Sequence, residues 1–185
     1  MNVDKWVKFY TDSDGDIYAT WQKSPRKLAR LSDSKLLTLS IAKWKFVKKR
    51  INIWRPLPND GGIQTCALCR AGTIRKIVQN PDFPTADANG YFDMILRLDR
   101  DVCECCPIGK STRAPFCAFT PYTIYDWVRT KCTQSDYIRY KIAEEAIDQE
   151  IEFLKGLRKQ AKIDEEFEQT RIRWAANNSR MSDAR

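Results

Sequence analysis

Six of the seven cysteines in this chain lie between positions 66 and 117, and no histidine occurs in its 185 residues. The order is Cys66-x-x-Cys69, then Cys103-Glu104-Cys105-Cys106-Pro107, then Cys117. A C-x-x-C turn aims two sulfurs at one ion, and zinc takes four such ligands in a tetrahedron. Cys66/Cys69 and Cys103/Cys106 both have that spacing. The pattern predicts a closed structural zinc site whose ligands are all thiolates. The candidate ligands are Cys66, Cys69, Cys103, Cys106 and Cys117, more than one ion needs. The sets favoured by spacing are Cys66, Cys69, Cys106 and Cys117, or the same set with Cys103 in place of Cys117. Cys105 points away from its neighbours if the Cys103–Cys106 turn holds, so it reads as a packed or free thiol. Cys132 reads as a core or surface thiol. An iron–sulfur cluster is the alternative cofactor, because C-x-x-C pairs and a Cys-Pro step also occur in cluster proteins. Four thiolates overcompensate a divalent ion, and Arg70, Lys110 and Arg113 are placed in sequence to offset the excess.

No run of apolar residues is long enough to cross a membrane, and the first residues lack the apolar stretch of a signal peptide. A reducing compartment is therefore expected, where paired cysteines serve as metal ligands more often than as disulfides. The net charge of +8 is unevenly spread. Residues 1–60 carry 13 Lys/Arg against 6 Asp, whereas residues 133–185 carry 10 against 11 acids. The basic character belongs to the N-terminal third, which suits DNA, RNA or an acidic protein as partner.

Three segments follow from the pattern: a basic hairpin and helix at 1–60, the cysteine-rich module at 61–132, and a charged helix and tail at 133–185. Trp6–Tyr10 and Ile17–Trp21 are aromatic and β-branched around an Asp/Gly turn, which predicts an N-terminal β-hairpin. The acidic turn does not fit a calcium loop: Gly15 is fourth from Asp12, and the twelfth position is Lys23. Ser24-Pro25-Arg26-Lys27 breaks the pattern. A helix follows, capped by Ser32 or Ser34, with Leu37, Ile41, Trp44, Val47 and Ile51 as its buried stripe. Its lysines and arginine, Lys43, Lys45, Lys48, Lys49 and Arg50, form the candidate phosphate-facing surface, with Arg26, Lys27 and Arg30 alongside. Trp6, Phe9, Tyr18 and Trp21 could stack on bases if exposed, and as hairpin core if not. The span Asn80–Gly90 reads as a loop insert, and Tyr91–Leu98 as strand or helix. Thr120 with Pro121 opens a further helix that packs through Tyr125, Trp127 and Val128. After Ser135, the residues Tyr140, Ala143, Ile147, Ile151, Leu154, Leu157 and Ala161 form a seam. Beyond it Ile163, Phe167, Ile172 and Trp174 thin out into a projecting helix or coiled-coil arm, frayed from Asn177 onward. The expected fold is α+β and mostly α: an N-terminal β-hairpin, helices around a structural zinc module, and a long C-terminal helix.

Catalysis has few supports. Without histidine the chain assembles neither a Ser-His-Asp nor a Cys-His system. Pro107-Ile108-Gly109-Lys110-Ser111-Thr112 ends like a phosphate loop but lacks the upstream glycine. Asp93, Asp99 and Asp101 could serve a metal-dependent nuclease, the weaker alternative. The expectation is a non-enzymatic binding protein.

The run Cys66-Ala67-Leu68-Cys69, then Cys103-Glu104-Cys105-Cys106-Pro107-Ile108, Cys117, and Thr120-Pro121-Tyr122 with Trp127, resembles a group of uncharacterised bacteriophage-encoded cysteine-rich proteins. The flanking Leu39–Trp44 and Glu150–Lys155 segments share the likeness, which covers roughly residues 36–157. The span from about 72 to 100 departs from it. The resemblance implies a viral origin and action in the cytoplasm of a bacterial host, and carries no established activity. The expected role is that of an accessory factor in host takeover or anti-defence, acting on a host or viral macromolecule. The alternatives are a protein-binding inhibitor of a host enzyme and a homodimer formed through the C-terminal helix.

Overall fold

The computed structural model describes residues 1–53, 55–79, 103, 106–114 and 117–182. The insert Asn80–Gly90, the segment Tyr91–Leu98, Asp99, Asp101 and Cys105 lie outside the described residues, so the expectations placed on them carry no structural account.

The chain is mostly helical, with an N-terminal antiparallel hairpin and a long C-terminal helix. Strands β1 (Val7–Thr11) and β2 (Ile17–Trp21) pair in the register Val7↔Trp21 to Thr11↔Ile17. Period-2 alternation buries Val7 and Ile17 and leaves Lys8, Tyr10, Tyr18 and Thr20 outside. The acidic turn closes on itself, because Asp12 Oδ1 accepts from the amides of Asp14 (3.0 Å) and Asp16 (2.9 Å). Gly15 supplies the left-handed backbone there, at φ +90°.

Ser24-Pro25 starts a short helix, α1 (Pro25–Ala29), where the sequence reading had only a break. Proline is favoured at a first helical turn, since its missing N–H has no partner to lose there. Helix α2 (Asp33–Arg50) has Ser32 at its N-cap position, without a capping bond from the serine side chain. It is central: Leu36, Leu37, Leu39, Ile41, Trp44 and Val47 are all buried, while the expected last member of its stripe, Ile51, is only half-buried. Helix α3 (Gly62–Thr65) and helix α4 (Ala67–Gln79) carry the first cysteine pair. Arg75 of α4 binds the carbonyls of Ala29 (3.1 Å) and Leu31 (2.6 Å) and the Asp33 carboxylate (2.6 Å), tying α1 to the start of α2. Helix α5 (Pro107–Thr112) follows Cys106.

Helix α6 (Pro121–Thr130) begins at the Thr120 cap, as its sequence requires. Tyr125 and Val128 are fully buried, but Trp127 is 53% exposed. Its expected packing role is corrected by helical geometry: at about 100° per residue, position 127 points away from positions 125 and 128. Helix α7 (Asp136–Ser182) then runs back antiparallel to both α6 and α2. Tyr122 N–H meets Glu150 at one end of the α6–α7 pair, and Arg139 reaches the Arg129 carbonyl (3.4 Å) at the other. Against α2, Lys48 pairs with Asp148 and Ser34 with Glu165. Helix α7 continues to Ser182, past the expected fraying point at Asn177.

Val7, Leu37, Trp44, Leu68, Tyr125, Ile147 and Leu154 belong to one hydrophobic cluster, so all three sequence segments share a core. Trp44 is its aromatic hub, with Tyr122 at 5.7 Å and Tyr125 at 5.5 Å between ring centroids. Ile147→Ala, which removes a fully buried side chain at the α2–α7 contact, should cost about 2–5 kcal/mol in urea unfolding. Trp127→Ala should stay within about 0.5 kcal/mol of wild type.

Candidate metal centre

The segment 56–62 leads from α2 to the first cysteine pair, with Pro56 and Asn59 exposed and other parts turned inward. Leu57 and Asp60 are buried. The loop is fixed from several sides: Tyr125 Oη donates to the Pro58 carbonyl, the Ile17 amide donates to Asn59 O (2.8 Å), and the Asn59 amide donates to Asp16 (3.2 Å). Gly61 is held at φ +68°, where a Cβ would stand 2.6 Å from the Ile17 carbonyl oxygen. The Thr65 hydroxyl donates to the Asp60 carbonyl and so closes the turn into α3.

Inside this loop the Lys43 ammonium meets the Asp60 carboxylate, with 5% and 3% of the two side chains exposed. Burial disfavours the Lys43 charge, yet Asp60 and Cys66 outweigh it and hold its pKa above the usual value. Lys43 was expected on the phosphate-facing surface, and the structure corrects this. Position 43 falls in line with Leu36, Ser40 and Val47 at helical spacing, all of them buried. That line was readable in the sequence. The lysine was assigned outward because its residue type usually is.

Cys66 and Cys69 act electrostatically on the ammonium, and the ammonium acts on Cys117. Cys66 lies directly before α4, and Cys69 follows in the first turn of that helix. The Cys69 thiol donates to the Cys66 sulfur and lowers the Cys66 pKa. Burial opposes that shift, whereas Lys43 and the amides of Cys69 and Leu68 reinforce it, and the result is about 6. Cys69 moves the opposite way, raised by its bond to Cys66 and by burial. Cys106 caps α5; burial and the Cys66 charge push it up to about 12, against the pull of the Gly109 and Ile108 amides. Cys117 is raised by burial and by the charges of Cys66 and Cys106. Its backbone lies at φ +55°, with Arg113 at +55° and Phe119 at +61°. Such left-handed non-glycine residues are uncommon and mark a segment bent by its surroundings.

The second pair is shaped by a close backbone approach. The Cys106 amide donates to the Cys103 carbonyl at 3.1 Å. A Cβ on Gly109 would lie 2.0 Å from that carbonyl oxygen, so only glycine fits. Gly109-Lys110-Ser111 is therefore packed helix, with no open loop for a phosphate. Glu150 completes the buried polar cluster. It is 2% exposed and accepts the Tyr122 amide at 3.1 Å. Burial pushes its carboxyl up to about 7, against the Tyr122 amide and the Thr120 hydroxyl.

The cluster thus holds one favoured thiolate and three neutral thiols. Burial first keeps Cys106 and Cys117 protonated and the bond to Cys66 keeps Cys69 so, with the Cys66 charge adding to all three. A soft divalent ion offsets that penalty on the charged form, so the donor set suits thiolate-bound zinc. As the side chains stand, no three Cys, Asp or Glu of the described residues are close enough together to hold an ion. Cys103, of the alternative ligand set, is half-buried, and Cys132 is buried in the core cluster.

Of the expected charge-balancing residues, Arg70 stacks on Trp21 at 5.2 Å, Lys110 approaches Asp33 at 3.8 Å, and Arg113 ends α5 in an exposed position. Lys43, which sequence position did not suggest, acts on Cys66 and Cys117. Of the candidate nucleic-acid contacts, Arg26, Lys27, Arg30, Lys45, Lys49 and Arg50 are exposed, and Lys48 is paired with Asp148. Trp6, Phe9 and Trp21 pack against the core. Tyr18 is outside, stacked on Tyr10 with centroids 5.7 Å apart. The alternation of β1 already put Tyr10 on the same face, opposite Tyr18, and the sequence reading missed it.

Lys43→Met strands the Asp60 carboxylate in the interior and should cost about 3–5 kcal/mol in urea unfolding. Lys45→Met, on the exposed side of the same helix, should change stability by less than about 0.5 kcal/mol. Comparison of the chain with protein-family models, with curated proteins and with solved structures gives no match.

Proposed function

We propose that this protein is a zinc-stapled binding protein that contacts nucleic acid through its basic N-terminal third. What supports the metal reading is the mutual electrostatic influence of Cys66, Cys69, Cys106 and Cys117, together with the action of Lys43 on Cys66 and Cys117. Zinc held there stabilises the fold; with every ligand a protein thiolate, no coordination position is left for water, and the role is structural.

Metal uptake must displace the protons of Cys69, Cys106 and Cys117, whose pKa values are all raised, while Cys66 is already ionised near neutral pH. Affinity therefore rises with pH. Calorimetric titration of the chelator-treated protein at pH 7.5, in buffers of different ionisation enthalpy, should give one zinc per chain and release of about three protons. Uptake without proton release, or no uptake, contradicts the reading. Cys132→Ser should leave the result unchanged.

The nucleic-acid reading is supported by the exposed cations of α1 and α2 and by the outer face of the hairpin, where Lys8 accompanies the Tyr10–Tyr18 pair. Cations that meet phosphates, with aromatics that receive bases, are the parts of a sequence-tolerant single-strand binder. The resemblance to phage-encoded proteins supports an accessory role during infection of a bacterial cell. Fluorescence anisotropy with a labelled single-stranded oligonucleotide tests it. Affinity should fall steeply between about 50 and 200 mM salt, roughly 300-fold if about six phosphates of the single strand are contacted. Tyr10→Ala with Tyr18→Ala should weaken binding by about tenfold or more. Salt-independent binding, or none, overturns this reading.

A further inference from the structure

Helix α7 carries two apolar faces at different heights. Through Leu154 its seam of Tyr140, Ala143, Ile147, Ile151 and Leu154 is buried against the body. Glu165 continues that side, accepting the Ser34 amide (3.0 Å) and the Ser34 hydroxyl (2.8 Å) at the start of α2. At about 100° per residue, Ile163, Phe167, Thr170 and Trp174 fall on the opposite side from Glu165. Their spacing of four, three and four is the a/d repeat of a coiled coil. Ile163, Phe167 and Trp174 are 50%, 72% and 68% exposed. Gly156 lies on this same outward side, and a Cβ there would meet nothing within 4 Å. The single chain gives no packing reason for a helix-weakening glycine at that position, whereas a second helix passing close by would.

We propose that this outward stripe pairs with the same stripe of a second copy of the chain, as an antiparallel coiled coil. In the register that places Trp174 against Ile163 of the second copy, Phe167 meets Thr170, so each layer sets a large side chain on a smaller one. The same register brings Asp164 beside Arg171 of the second copy and Glu166 beside Arg173. Twofold symmetry makes each of these opposite-charge pairs occur twice. Gly156 then faces position 181. A parallel pairing also matches charges, through Glu166 and Arg171, but it sets Phe167 on Phe167, Trp174 on Trp174 and Thr170 on Thr170. Size complementarity therefore chooses the antiparallel arrangement. Arg171 pairs in its own chain with Glu168 (2.7 Å), an exposed contact that exchanges at little cost. This inference does not depend on the metal or nucleic-acid readings.

Sedimentation equilibrium of the full chain between about 1 and 100 µM tests it, in a range where a short coiled-coil seam is expected to dissociate. The wild type should form a dimer. Phe167→Asp with Trp174→Asp should be monomeric throughout, with an unchanged urea midpoint to show that the body still folds. Arg171→Glu with Arg173→Glu should weaken the dimer, and mixing that variant with Asp164→Lys/Glu166→Lys should restore association. A wild type that stays monomeric across the range overturns the proposal and leaves the stripe to a different partner. Photo-crosslinking from benzoylphenylalanine at position 174 reads the orientation. Crosslinks near Ile163 of the second copy support the antiparallel form, and crosslinks to its position 174 overturn it.

Discussion

The buried contact between the Lys43 ammonium and the Asp60 carboxylate is the interaction on which the arrangement of this molecule turns. A lone charge at either position would be expelled or neutralised. Paired, the two anchor the central helix to the loop that delivers the cysteines. The hydrogen bond from Cys69 makes Cys66 the first of the thiols to ionise, and the Lys43 ammonium reinforces it. The ion pair is therefore a structural tie that also favours the Cys66 thiolate. Buried ion pairs seldom add much net stability; their value here lies in fixing the loop 56–62 between the hairpin, α2 and α6.

The thiol cluster and Glu150 extend the same logic. Glu150 sits at the opening of α6, where backbone amides offset part of its desolvation, yet burial still carries its pKa to about 7. The Cys66 charge acts on it, and its own charge acts on Cys117. A dication bound by the sulfurs would neutralise the thiolates that burial and mutual repulsion now suppress, and Lys43 would offset the excess negative charge of four sulfur ligands. This leaves the outer face of the hairpin, the exposed cations of α1 and α2, and the far end of α7 as surfaces held by a fixed interior.

The hairpin, the extent of α2, the Thr120–Pro121 start of α6 and the apolar seam of α7 were all legible, because each rests on local periodicity or capping that a single sequence displays. Helices α1 and α4 were not. Pro25 was read as a breaker, although proline also opens helices, and the Cys66–Cys69 turn drew attention away from the helical stretch after it. The centre was half legible. Spacing singled out the cysteines; among the described residues no three Cys, Asp or Glu stand close enough to hold an ion, so spacing did not by itself fix a ligand set. Position in sequence pointed to Arg70, Lys110 and Arg113 as nearby cations, and tertiary packing adds Lys43 from a distant helix. Long-range pairing of that kind has no local signature.

The central proposal is that Cys66, Cys69, Cys106 and Cys117 share one structural zinc. Zinc K-edge X-ray absorption on the metal-loaded protein tests it most directly. A shell of four sulfurs at about 2.3 Å is the predicted result. A first shell containing oxygen or nitrogen ligands at about 2.0–2.1 Å would contradict it.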